Sequence, residues 1–178
     1  HVDYDEQLFL KYAKLSGSID ADTRNLSKSI LEVAEKMGVK PGELEEKIKP
    51  VQALYAISDH AKALSFAITD SGLPSNVGGG YNLRVILRRA LNLIDEQEFD
   101  FTLYEVCEEH AKYLKPIYPS LNEHLDEINE ILGVEEKRYQ KSLDRARRTA
   151  RTILRKSRKI APEKMVELYE SQGVSPEL

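Results

Sequence analysis

Apolar side chains recur every third or fourth position along nearly the whole chain, the spacing that gathers them on one face of a helix. Residues 5 to 15 read as a short helix with Leu8, Tyr12 and Leu15 on one stripe, ended by Gly17. Asp20 or Asp22 can cap a second helix, in which Leu26, Ile30, Leu31, Val33 and Ala34 face inward, and Gly38 stops it. Pro41 and Gly42 open the next segment. From Glu43 a long pattern runs to about Thr69, with Pro50 as a candidate break and Leu54, Ile57, Ala61, Leu64 and Ile68 as its apolar stripe. The stretch from Asp70 to Gly80 is the most loop-like part of the chain. A helix from about Tyr81 to Ile94 follows, then two more over 101 to 114 and 120 to 132, separated by Pro116 and Pro119 and closed by Gly133.

A narrower stripe marks residues 135 to 158: Tyr139, Leu143, Ala146, Ala150 and Ile153 step by four, three, four and three. That is a heptad seam, suited to packing along a neighbouring helix. Arg147, Arg151 and Arg155 recur every fourth position on another face. Pro162 can begin a last helix through Ser171, which Gly173 stops. No stretch alternates with period two for long enough to be a strand. The expectation is a bundle-like all-α domain, or two packed helical subdomains over 1–97 and 98–178 with a boundary near 95 to 100 or 115 to 119.

Charge changes this picture. The 178 residues carry a formal net charge of -4. Residues 145 to 159 hold eight Lys or Arg and no acid, so the other residues together carry -12. Such segregation points to a polyanionic partner at one surface, repelled elsewhere. The plainer alternative is a solvated basic helix face. Only 9 Gly and 7 Pro among 178 residues exclude collagen-like and wholly disordered chains. Charges interrupt every apolar run well before the roughly 18 residues of a membrane span. No signal-peptide pattern opens the chain, which starts on an acidic segment and on His1 rather than Met, as expected of a piece of something longer.

Catalytic and metal-binding patterns are missing. No GxGxxG, Walker lysine, HExxH or CxxC occurs. The single Cys107 reads as a small core residue, and His1, His60, His110 and His124 have no short metal spacing. His60 beside Asp59 reads as a packed helix residue. No catalytic residue and no metal ligand is therefore assigned.

One compound pattern is far more specific. Asp59-His60 lies on a helical segment that leads to Asp70-Ser71-Gly72-Leu73-Pro74-Ser75-Asn76, and then to Gly79-Gly80-Tyr81-Asn82-Leu83-Arg84 and Arg88-Arg89-Ala90. This resembles the tRNA-recognition region of alanyl-tRNA synthetases, where a helix carrying DH precedes a D-G-x-x-P-S-N turn and a G-Y-x-L-R…R-R-A helix. The opening Asp3-Tyr4-Asp5-Glu6-Gln7-Leu8-Phe9 is similar to the family's D-x-D-x-x-L-F segment. Leu168-Tyr169-Glu170-Ser171-Gln172-Gly173 is similar to its L-Y-D-[ST]-x-G segment. The matches span nearly the whole chain. The middle, 95 to 160, shares helical character and charge and looks archaeal.

The resemblance implies a tRNA-binding recognition domain of an ATP-dependent, class II alanine–tRNA ligase. Its catalytic core would lie outside this chain, which would not be catalytic by itself. No cofactor is expected here; ATP and Mg belong to the parent enzyme, and zinc to its editing domain. The implied partners are the tRNA(Ala) acceptor stem and the catalytic and editing domains of the parent chain, with no membrane and a cytoplasmic location. The family reads a wobble G·U pair, and its readers carry over as Asn76 and Glu170. The minor groove of A-form RNA is wide and shallow, so side chains reach base edges there. A carboxylate only accepts, whereas an Asn amide can donate or accept. Glu170 stands where Asp is usual, one methylene longer.

Arg84, Arg88 and Arg89 are candidate contacts to the RNA backbone, with ion pairing to acidic neighbours as the alternative. Arg147, Arg148, Arg151, Arg155, Lys156, Arg158 and Lys159 form a ridge that can hold phosphates without reading sequence. Gly78, Gly79 and Gly80 provide either close backbone approach to RNA or a tight interhelical connection. The rival function is a helical protein–protein module that uses the 139–153 seam to bind a partner helix.

Overall fold

The structure is a computed structural model and describes residues 5–16 and 26–156. Among these residues there are seven helices and no strand, so the expected all-α class holds. They are α1 (Glu6–Ser16), α2 (Leu26–Met37), α3 (Pro41–Thr69), α4 (Gly78–Glu96), α5 (Leu103–Leu114), α6 (Ser120–Glu123) and α7 (Leu125–Lys156). The caps proposed at Asp20 and Asp22 and the helix from Pro162 to Ser171 lie outside the described residues.

The spine is α3. Pro41 occupies its first turn, where a missing N–H costs nothing. Leu44, Ile48 and Val51 are buried on one side, and Ile57, Ala61, Leu64 and Ile68 on the other. At 3.6 residues per turn these two sets fall on two different faces, roughly 140° apart. The first half packs against Val33, Ala34 and Met37 of α2, with Leu8, Tyr12 and Leu15 of α1 alongside. The second half meets Leu87, Ala90, Leu91 and Ile94 of α4, Leu103 and Cys107 of α5, and Ile128, Leu132 and Tyr139 of α7. This larger cluster draws on residues before and after position 97. Pro50 does not break the helix. Ile48, Val51 and Ala53 are buried around it, and their burial offsets the one backbone bond the ring removes.

The C-terminus of α3 closes with the Ser71 N–H bonded to the Ile68 carbonyl at 2.8 Å and the Gly72 N–H to the Ala67 carbonyl at 2.7 Å. This is a Schellman arrangement, and Ser71 takes the positive φ of 66°. On α5, Thr102 and Glu105 form a reciprocal capping box. The His110 ring ties α5 to α3 through the Ser58 carbonyl at 2.9 Å. Cys107 is fully buried, and burial pushes its thiol pKa up, which fits a core residue. His60 is half-buried; burial first, and then Arg89, hold its pKa below the ordinary value.

The sequence pattern placed a helix end at Gly133 and a new start at 135. Instead α7 runs unbroken from Leu125 to Lys156. The break falls earlier, at His124, which caps the single turn of α6. The reason is the seam itself. Ile128, Leu132, Tyr139, Ala146 and Ala150 are all buried, and their phase continues across Gly133. That burial outweighs the roughly 1 kcal/mol a helical glycine costs. The seam is occupied inside the protein: Tyr139 packs in the larger core, and its hydroxyl donates to Asn92 Oδ1 of α4 at 3.2 Å. The side chain of Ile153 lies outside the described set.

A side chain added at Gly133 would meet no atom within 4 Å. Gly133→Ala should therefore stabilise the chain by about 1 kcal/mol, read as a higher urea midpoint with an unchanged slope. A lower midpoint would show that the helix needs its glycine.

Candidate functional site

The turn between α3 and α4 is tightly built. The Ser75 N–H donates to the Gly80 carbonyl at 2.9 Å. The Ser75 hydroxyl donates to the Val77 carbonyl at 2.7 Å and accepts from the Val77 N–H at 3.3 Å. Gly78 needs its positive φ of 60°. Gly80 is needed for space, because a Cβ there would sit 2.3 Å from the Leu73 carbonyl oxygen and 2.5 Å from Ser75 Oγ. A Cβ on Gly79 would meet nothing within 4 Å. The three glycines thus differ: two serve the turn's own geometry and one stands open. The result is a fixed loop that carries Asn76 exposed at its tip.

Beneath the turn, Arg84 of α4 reaches Glu135 of α7. Its Nε donates to Glu135 Oε2 and its Nη2 to Oε1, each at 2.8 Å. Nη2 also donates to the Pro74 carbonyl at 3.2 Å, and Nη1 donates to Asn76 Oδ1. Arg138 adds a third cationic bond to the carboxylate, Nη1 to Oε1 at 2.6 Å. The pair is secluded: the Glu135 side chain is 3% exposed and that of Arg84 12%. Of the two readings open for Arg84 in the sequence, the structure displays the ion pair.

Asn76, Arg84 and Arg88 on one side, and Arg138, Lys141 and Arg145 on the other, line a cleft of about 450 Å³ between the turn, α4 and α7. Five cations line this cleft, and two of them, Arg84 and Arg138, bond the Glu135 carboxylate. Arg88 Nε is buried and has no protein acceptor among the described residues. A buried N–H of that kind is costly unless an acceptor reaches it. An open cationic cleft with a polar amide at its lip suits a polyanion whose edge must be read.

The residues proposed from the sequence divide accordingly. Asn76, Arg84 and Arg88 come together in the cleft. Arg89 is exposed on α4 near His60. Arg147, Arg148, Arg151 and Arg155 are exposed on α7. At 3.6 residues per turn, Arg147 and Arg151 fall on one side of the buried Tyr139–Ala146–Ala150 seam, and Arg138 and Arg145 on the other. Only the second flank lines the cleft. The side chain of Lys156, and all of Arg158, Lys159 and Glu170, lie outside the described residues. The sequence reading missed Arg138, Lys141, Arg145 and Glu135. The signal was present: Arg138, Lys141 and Arg145 step by three and four, one face of a helix.

Among the described residues no helix is long and apolar enough to cross a membrane, and no group of His, Cys, Asp or Glu could hold a metal ion. Residues 10–178 match the protein family described as tRNA synthetases class II (A). The chain is 37% identical over 180 residues to the alanine–tRNA ligase of Pyrococcus abyssi, covering 98% of this chain and 20% of that protein. It is 36% identical over 169 residues to the alanine–tRNA ligase of Methanocella arvoryzae, covering 94% and 19%. It is also 33% identical over 183 residues to that of Halorubrum lacusprofundi, covering 100% and 19%. The chain thus spans about a fifth of the length of these curated relatives.

Glu135 makes the site pH-dependent. Burial alone would raise its pKa, but the hydrogen bonds and charges of Arg84 and Arg138 outweigh burial and hold it below the usual carboxylate value of 4.5. A lowered folded value contributes stability above the unfolded pKa and loses it as pH falls through the folded one. Glu135→Gln should cost about 3 kcal/mol near neutral pH, since it leaves Arg84 without its charge partner. In urea titrations that gap should shrink as pH drops below about 4.5. A gap that widens in acid would contradict the assignment.

Proposed function

The chain belongs to the class II (A) tRNA synthetases, in their archaeal alanyl branch, and on that premise we propose that it is the tRNA-recognition domain of an alanine–tRNA ligase. In this reading it binds the tRNA(Ala) acceptor stem and reads the wobble G·U pair from the minor groove through Asn76 and Glu170. The observation that carries the reading is Asn76 fixed at the lip of the cationic cleft. The lip offers an amide to base edges, while the cleft floor and wall attract the phosphates beside them. Glu170 supplies an acceptor for the guanine amino group, which a wobble pair leaves without its Watson–Crick partner.

Arg88 and Arg89, together with the exposed Arg147, Arg148, Arg151 and Arg155 of α7, and with Lys156, Arg158 and Lys159, hold the RNA backbone in this proposal. Lys141 and Arg145 extend that set toward the turn. Alanine activation with ATP and Mg, and any zinc-dependent editing, are assigned to the rest of the longer ligase, and the location to the cytoplasm. The rival, a protein–protein module built on the 139–153 seam, lacks a free seam: Tyr139, Ala146 and Ala150 are buried within this chain.

Two measurements test the proposal. Against acceptor-stem duplexes that differ only in a G·U or G·C pair, Asn76→Ala and Glu170→Ala should each lose most of the preference for G·U. If both variants discriminate normally, the readers are wrongly assigned. Charge reversal at Lys141 and Arg145 should weaken both duplexes alike and lower the slope of log affinity against log salt by about two. A loss confined to one duplex would contradict a backbone role.

A further inference from the structure

Arg84 has little left to offer a ligand. A guanidinium carries five N–H groups, and four of Arg84's are engaged inside the protein by Glu135, Pro74 and Asn76. Glu135 in turn is held by two arginines, from α4 and from its own helix. The contact to Asn76 has one chemically permitted sense. A guanidinium only donates, so the Asn76 amide must present Oδ1 to it; the reverse would set donor against donor. The carboxamide is planar. With Oδ1 committed to Arg84, Nδ2 is turned away from it, at an exposed position where no acceptor among the described residues engages it.

We propose that Arg84 and Glu135 are positioning residues. They clamp the Asn76 carboxamide so that it faces the nucleic acid as a hydrogen-bond donor, and they do not touch the RNA themselves. The donor role rests on the reading of Asn76 given above; the clamp does not. In the minor groove such a donor meets an acceptor, the O2 of a pyrimidine or the N3 of a purine. The division of labour is then fixed in advance: the amide serves the acceptor of the pair, and an acceptor-only carboxylate serves its amino group. The ion pair sets this before any RNA arrives, so no ordering of the turn is required on binding.

The experiment uses the 178-residue chain and the same pair of duplexes. Asn76→Asp keeps an oxygen for Arg84 but has no N–H to donate. It should fold normally and lose roughly threefold to tenfold of the G·U preference, the worth of one hydrogen bond. A retained preference would overturn the donor role. Arg84→Gln should lose the preference while the salt slope stays unchanged. A slope lower by about one with the preference intact would make Arg84 a phosphate contact and overturn the proposal. Side-chain 15N relaxation of Asn76 in the RNA-free chain decides the clamp separately. The amide should be rigid in the unmodified chain and mobile in Arg84→Gln; equal mobility in both would overturn it. Should the unmodified chain not prefer G·U at all, the recognition reading falls, and the relaxation data still decide the clamp. Should Arg84→Gln fail to fold, Asn76→Asp and the rigidity of the unmodified amide decide it.

Discussion

The ion pair between Arg84 and Glu135 joins the three parts on which the site depends: the turn after α3, the start of α4 and the middle of α7. Its worth does not lie mainly in stability. Two charges removed from water lose most of what their attraction returns, and an apolar pair of similar size would serve the core as well. An apolar pair could not, however, grip a backbone carbonyl and a side-chain amide at once. Arg84 does both, at Pro74 and at Asn76. The fork of its guanidinium converts the register of α4 against α7 into the orientation of one exposed amide.

The long helices make this geometry possible. The α3 helix faces two clusters from two different sides, and the larger of them seats α4, α5 and α7 against its second half. The α7 helix then passes the turn with a buried seam of Tyr139, Ala146 and Ala150 and basic residues on both flanks. Burial pushes the Tyr139 phenol up to about 12, with Asp95 and Glu96 adding to the shift. It therefore stays a neutral donor to Asn92 at physiological pH. One flank of the seam borders the cleft and the other faces away, so a single basic run in the chain becomes two surfaces.

Most helices were legible because their apolar stripes are wide and their ends carry ordinary punctuation. One reading failed, at Gly133, and one candidate break, at Pro50, is not used; at both a local breaker competed with a longer pattern. Pro50 and Gly133 each argue for a break, yet the buried stripe continues through both. The position of Asn76 was legible only through the compound motif around it, since an Asn in a turn is otherwise unremarkable. Glu135 was harder. It sits 51 residues from Arg84, inside the run Glu135-Glu136-Lys137-Arg138, which looks like a solvated face. Its clue was phase. Ile128, Leu132, Glu135 and Tyr139 step by four, three and four, so an acid occupies a core position of the seam. A carboxylate there needs a cationic partner from another element, and which one only the fold could reveal.

The central claim is that Glu135 acts on recognition through Asn76, although among the described residues it bonds only to Arg84 and Arg138. A double-mutant cycle with Glu135→Gln and Asn76→Ala, read as the ratio of affinities for G·U and G·C duplexes, tests this most directly. The account predicts that each substitution lowers the ratio and that the pair together lowers it no further than Asn76→Ala alone. Losses that add, or a Glu135→Gln variant with an unchanged ratio, would contradict it.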